Sequence, residues 1–296
     1  MEEELLETVS SSAGCVRLFV GGDRTQVGKT TVCLGILGYL RREMSVAAAD
    51  LAYIKPATQC EAADLLSAYC AAEGILHVGG SEAPIVYYPG FTRAVINGTA
   101  AVDAEATRRK IDEVCRGKKF CVIDGVGFPG VGSCVGASNA DVALWARAPV
   151  VLVSKSGVGA AIDAHCGNAS FFAAKGVPVL GAIFNMAPLE GFYKKDEIEP
   201  VVHRFFHASR PRETLYGVVP ELAPSEKTLA DANIDHLKKH IDLKALIQDC
   251  CLDVFNRKRR PTTHNSEKEP LDQSKVPDRQ AIEQQATKKG AIVSAR

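Results

Sequence analysis

Apolar residues gather into short unbroken runs, separated by stretches in which they recur every three or four positions. The runs are Val16–Val20, Ala52–Pro56, Lys119–Asp124, Pro149–Ser154, Val177–Asn185 and Thr214–Val219. Between them lie segments of helical periodicity: Thr30–Arg42, Glu61–Glu73, Asp103–Arg116, Ser138–Arg147, Ile162–Lys175, Glu197–His207 and Leu243–Phe255. In the first of these, Val32, Leu34, Ile36, Leu37 and Leu40 recur at helical spacing. Continuous apolar strands alternating with helices predict an α/β protein with a mostly parallel sheet buried on both faces and right-handed crossovers. Residues 75–100 break the rhythm with Gly, Pro and aromatics, including Tyr87–Arg93, and read as an insertion near the site.

The pattern ends near Phe255. Residues 256–296 contain no Phe, Tyr or Trp and hold ten Lys/Arg against five Asp/Glu. The whole chain has 35 of each, so the body carries 25 basic against 30 acidic residues. The expected organisation is a leader over 1–14, one nucleotide-binding domain over 15–255, and a disordered basic tail over 256–296. Within the tail, Arg257–Arg260 is a four-residue basic run, too common by chance to mark a nucleic-acid surface.

The amino-terminal segment is acidic, unlike a secretory signal or an Arg-rich transit peptide, and no apolar stretch nears the ~18–20 residues of a membrane span. The ten cysteines form no Cys-x-x-Cys, and Cys33, Cys115 and Cys121 sit in apolar runs. They read as reduced, buried small hydrophobes. The expected location is the cytoplasm, with no membrane partner.

The chemistry concentrates after the first run. Gly22 to Thr30 reads Gly-Asp-Arg-Thr-Gln-Val-Gly-Lys-Thr between a strand and a helix. A phosphate-binding loop needs glycines that let the backbone wrap closely, inward N–H groups, a helix start, a lysine and a hydroxyl. Gly28, Lys29, Thr30 and Thr31 supply them. In the usual spacing a glycine would stand at position 23; here it stands one residue earlier, and Asp23 follows. The fold expected is a three-layer P-loop NTPase with a mostly parallel central sheet and helices on both faces. Its ligand is ATP, with GTP as the alternative.

The pattern Gly-x-x-Thr-x-Val-Gly-Lys-Thr resembles the loop of dethiobiotin synthetase, of the cobyrinic acid amide synthases and of the N-terminal domain of long phosphotransacetylases. Gly22, Thr25, Val27, Gly28, Lys29 and Thr30 match it. Ile54-Lys55-Pro56 looks like the Lys-Pro that closes that family's second strand beside phosphate and substrate. Asp64 stands where the family has a magnesium-binding aspartate. Asp124, before Gly125-Val-Gly127, replaces a strand-end glutamate. Asn185 matches an asparagine that contacts the base, and Gly217-Val-Val-Pro220 the segment that closes over it. The resemblance covers about residues 15–225.

The resemblance implies an ATP- and Mg2+-dependent synthase or ligase. It phosphorylates a carboxylate or carbamate of a small molecule, with Lys29 and Lys55 on the transferring group and Thr30, Asp64 and Asp124 on magnesium. It also implies a homodimer, as in relatives that pair across a sheet edge. Departures are present: Ala57-Thr-Gln-Cys60 follows the Lys-Pro, and Phe128 replaces a glycine. A regulatory ATP- or GTP-binding module of the same fold is the alternative. His203 and His207, four apart on a helix, have no third ligand, so they are expected to be surface histidines.

Overall fold

In the computed structural model, residues 14–59 and 64–252 are described. Residues 1–13 of the expected leader, the first residues of the Glu61–Glu73 helix, the end of the Leu243–Phe255 helix and the basic tail lie outside them. The strands are β1 (Val16–Gly22), β2 (Leu51–Ile54), β3 (Ala57–Thr58), β4 (Leu76–Val78), β5 (Ile85–Val86), β6 (Phe120–Asp124), β7 (Val150–Lys155), β8 (Val179–Ala187) and β9 (Thr214–Pro220). Seven form one sheet in the order β4-β2-β6-β1-β7-β8-β9, and every pairing is parallel. Strands β3 and β5 pair separately.

The helices are α1 (Lys29–Arg42), α2 (Leu65–Glu73), α3 (Phe91–Ile96), α4 (Ala104–Cys115), α5 (Asn139–Ala146), α6 (Gly159–Ala174), α7 (Lys195–Ser209), α8 (Ala230–His240) and α9 (Leu243–Cys251). Strand alternation sorts the core into layers. Val16, Leu18 and Val20 pack with Val122, Val151 and Ile183 against α1, α2, α8 and α9. Phe19, Cys121, Ile123 and Leu152 point the other way, against α4, α5 and α6. Ala182, Phe184 and Val218 join α7 at the far end. This is the three-layer α/β architecture expected of a P-loop fold.

Local chemistry sets the helix starts. Asp103 caps α4 by accepting from Ala106 N, and Ser138 forms a reciprocal capping box with Asp141 at α5. Asp64 caps α2 by accepting from Ser67 N at 2.8 Å.

Two elements differ from expectation. Residues 75–100 are only partly an insertion: Leu76–Val78 is the edge strand of the main sheet, paired with β2. Three residues with one buried side chain are too short for periodicity to reveal. Helix α8 was also unforeseen. Its buried face is only Asn233, Ile234 and Leu237, and α1 receives it closely. A Cβ at Gly35 would meet Leu237 Cδ1 at 2.6 Å, and one at Gly38 would meet Ile234 Cγ1 at 2.5 Å. Two glycines three apart thus let the helices touch backbone to side chain.

Candidate nucleotide site

Because every strand of the main sheet is parallel, the strand ends that carry Gly22, Lys55, Asp124, Asn185 and Pro220 share one carboxyl edge. That edge is where doubly wound sheets bind ligands. β1 runs out at Gly22, and α1 begins after Gly28, which takes φ 86° as its amino-terminal cap. That left-handed backbone favours glycine. Space demands it too, since a Cβ on Gly28 would lie 2.3 Å from Asn185 Nδ2. At Gly22 a Cβ would lie 2.8 Å from Lys29 Cδ and 3.0 Å from Val27 Cγ2. Both glycines therefore let side chains of the site close over the backbone. Thr31 lies in the first turn of α1, where helix N–H groups lack intrahelical partners. Thr25 sits exposed at the loop tip.

The residue after the early glycine has its own anchorage. Asp23 N donates to Val153 O at 3.0 Å, and its buried carboxylate pairs with Arg24 at 3.0 Å. The shifted loop is thus tied to β7, and the Arg24 side chain lies outside, over Asp23.

Lys29 is buried and donates through Nζ to Arg24 O at 3.2 Å, spanning the loop. Burial pulls its pKa below the ordinary lysine value, Asp124 opposes that, and Lys55 adds to it. Asp124 sits at the end of β6 with only 1% exposure. Its Oδ2 accepts from Thr30 Oγ1 at 2.8 Å and from Tyr53 OH at 3.0 Å. Burial raises the Asp124 pKa. Lys55, the Thr30 hydrogen bond, Lys29 and the Tyr53 hydrogen bond each counter that rise. Tyr53 is a member of the site that the sequence did not single out; an aromatic in an apolar run reads as core.

Asp124 Oδ1 is buried and, among the described residues, has no hydrogen-bond partner. A carboxylate oxygen left this way beside a threonine hydroxyl and two lysines suits a hard cation under phosphates. The glycine cradle and this oxygen together fit a magnesium nucleotide. Among the described residues, no group of three His, Cys, Asp or Glu is placed to hold a metal by itself. A cation here would rest on Thr30 and Asp124 and take its other ligands from the nucleotide or water. Asp64 lies farther along, with one oxygen committed to the α2 cap, and lines a cavity with Tyr53 and Lys55.

Lys55 follows β2, is buried, and its N–H donates to Val78 O at 2.8 Å on edge strand β4. The cavity of about 260 Å³ beside it is also lined by His77 and Glu82.

Asn185 is placed by a bulge. β8 pairs Phe184 with Val218 and then Ala187 with Pro220, so Asn185 and Met186 together oppose Val219. Met186 takes φ 60° to make room for the extra residue. Bulges of this kind re-aim a side chain. Asn185 Nδ2 donates 2.9 Å to Val27 O, inside the phosphate loop. Pro220 ends β9 one strand away, and its carbonyl is held by the His236 ring at 2.8 Å.

The glycine-rich loop after Asp124 is held by Asn139, another residue the sequence did not mark. Asn139 Nδ2 donates to Val126 O at 2.5 Å and to Phe128 O at 2.7 Å, while its Oδ1 accepts from Val126 N at 3.0 Å. The Tyr87 hydroxyl packs onto this loop, where a Cβ at Gly132 would lie 2.4 Å away. His203 and His207 are both exposed on α7, as expected.

A family model described as an AAA domain matches residues 16–228, from the first strand past the last. The chain belongs to this family. The family includes dethiobiotin synthetase-like P-loop proteins, and the chain is a P-loop nucleotide-binding protein. A nucleotide-binding protein from Archaeoglobus fulgidus, solved in complex with ADP, is among the solved structures the chain resembles. It shows 14% identity over 79% of this chain and 93% of its own, with a TM-score of 0.39. Comparison with curated proteins gives no match. Among the described residues, no helix is long and apolar enough to cross a membrane.

Proposed function

We propose that the protein is an ATP- and magnesium-dependent synthase or ligase that phosphorylates a carboxylate or carbamate of a small molecule. A nitrogen nucleophile then displaces the phosphate. The observation that carries this reading is the second buried lysine. Lys29 alone serves a site that holds phosphates. Lys55, just after β2 and far from the phosphate loop in sequence, adds a cation that bears on Asp124 and also lines a cavity of about 260 Å³, where an acceptor fits.

In this reading the residues position and neutralise rather than react covalently. Lys29 holds the terminal phosphates in the cradle of Gly22 and Gly28. Lys55 faces the charge that builds as the phosphoryl group leaves ATP for the acceptor oxygen. Thr30 and Asp124 would hold magnesium, which draws charge off the phosphate oxygens, and Asp64 has one oxygen left over from its cap. Asn185 and Pro220 border the base. A homodimer and a cytoplasmic location go with this reading, and sedimentation of the purified protein tests the first.

The experiment is acceptor-stimulated ADP release by purified protein with ATP and magnesium, using diaminopelargonic acid with bicarbonate and a panel of other amino carboxylates. Stimulation that vanishes in Lys55→Met while ATP binding persists is the expected result. Tight ATP binding with no stimulated ADP release by any acceptor would sink the synthase and leave a nucleotide-binding regulatory module.

A further inference from the structure

Asp124 uses its two oxygens unequally. Oδ2 accepts two hydrogen bonds, from Thr30 Oγ1 at 2.8 Å and from Tyr53 OH at 3.0 Å. The buried Oδ1 accepts none among the described residues. The two donors belong to different elements, α1 and β2, so they anchor one oxygen independently.

The sheet explains how Tyr53 reaches that oxygen. β2 lies between β4 and β6, and the register sets Tyr53 against Val122 on one side and His77 on the other. Tyr53 and Val122 share the buried layer that α1 covers. Strand alternation returns Asp124, two residues beyond Val122, to the same layer. The carboxylate therefore stands about 6–7 Å farther along the sheet than the Tyr53 backbone, at roughly 3.3 Å per residue. A serine or threonine at position 53 would fall short. The phenol ring carries its hydroxyl across the gap, and Tyr53 remains 1% exposed. A buried tyrosine hydroxyl ordinarily finds some partner, and the bond then serves packing alone. Here the choice of partner has a further consequence. The terminal torsion of an aspartate is soft and roughly two-fold, so a carboxylate held by one donor can turn and exchange its oxygens. Held at Oδ2 by two donors from separate elements, it keeps Oδ1 as the open one.

We propose that Tyr53 is a positioning residue for the magnesium nucleotide: its hydroxyl fixes the Asp124 carboxylate so that Oδ1 is the oxygen presented to the cation. Tyr53 acts through Asp124 and touches neither metal nor phosphate itself. This role presupposes that Thr30 and Asp124 hold magnesium, as read above, and is independent of the acceptor and of turnover.

The test is calorimetric titration of the full chain with ATP, in magnesium and again in EDTA, for the parent and Tyr53→Phe. Phenylalanine keeps the buried ring, which also lines the cavity beside Lys55, and removes only the hydroxyl. In EDTA the two proteins should bind ATP with the same affinity. In magnesium Tyr53→Phe should bind about tenfold more weakly, the loss typical when a metal ligand's hydrogen-bond partner is removed. In an Asp124→Asn background the same change should alter affinity in magnesium by less than about twofold, because the hydroxyl no longer aims a carboxylate oxygen at the cation. Equal losses in EDTA and in magnesium would show a packing role and overturn the proposal. So would a parent-like gain from magnesium in Tyr53→Phe, or a full tenfold loss that persists in the Asp124→Asn background. A parent that binds ATP equally well in both media overturns the cation site itself, and the role of Tyr53 falls with it.

Discussion

Thr30 Oγ1 and Asp124 Oδ2 meet at 2.8 Å across 94 residues of chain. The contact joins the first residues of α1 to the end of β6, and it fixes where a cation would sit. Its energetic sign is unusual. Asp124 is buried, and burial works against its charge. Removing the charge should therefore not harm the fold, although it should harm the site. Asp124→Asn is expected to keep or raise the thermal midpoint while weakening magnesium-dependent ATP binding by at least about tenfold, roughly 1.4 kcal/mol. Thermal unfolding and calorimetric titration check the two halves. Unchanged affinity for the magnesium nucleotide would contradict the placement of the cation.

The two lysines should separate binding from turnover. Lys29→Ala is expected to abolish measurable ATP binding, because it removes the cation that spans the loop. Lys55→Met is expected to change the ATP dissociation constant by only a few-fold while lowering acceptor-dependent ADP release by about 100-fold or more, as loss of a single charge stabiliser does. Equal loss of both quantities in the two variants would place Lys55 among the binding groups alone.

Gly28→Ala meets two obstacles at once. The backbone there has φ 86°, and the new methyl would fall 2.3 Å from Asn185 Nδ2. A destabilisation of about 1–3 kcal/mol is expected from the backbone alone. The Asn185–Val27 hydrogen bond should break as well, lowering ATP affinity. Urea unfolding curves with unchanged slope and a lower midpoint are the expected record. A variant as stable as the parent would show that the loop takes another shape.

The carboxylate of Glu213 offers a pH test away from the nucleotide. It accepts from His165 Nε2 at 2.6 Å and pairs with Arg210. Burial would raise its pKa, yet the bonds from His165 and then Arg210 outweigh it, and the net shift is downward. A carboxyl with a depressed folded value stabilises the native state above its ordinary value of 4.5, and that contribution fades as pH falls through the folded value. Glu213→Gln should cost about 1–3 kcal/mol at pH 7. The gap to the parent should narrow below pH 4.5. A gap constant between pH 7 and pH 3.5 would count against the coupling.

Much of this molecule was legible as pattern, and the reasons for the rest are local. Buried parallel strands declare themselves as unbroken apolar runs, so β1, β2, β6, β7, β8 and β9 could be placed. Edge strand β4 could not, because only Val78 among its three residues is buried. Helix α8 shows few apolar residues since α1 meets it with Gly35 and Gly38 instead of bulk. A pair of glycines in a helix was the available signal. At the site, Lys29, Thr30 and Asp124 come together as their spacing suggested. Asp64 shows the limit: an aspartate before a helix serves equally as cap or ligand, and only the 2.8 Å bond to Ser67 N shows that one oxygen is spent on the cap. Tyr53 and Asn139 act through contacts with residues distant in sequence, which no local pattern encodes.

The bond from Asn185 to the loop has a bearing on molecular discrimination. An asparagine amide offers two hydrogens and one carbonyl oxygen. One hydrogen is already spent at 2.9 Å on Val27 O. Any ring placed against Asn185 would meet a single remaining hydrogen and a single oxygen, a vocabulary of one give and one take. Reading the ring any other way would mean letting go of the loop that would hold the phosphates, so selectivity and grip would draw on the same atom.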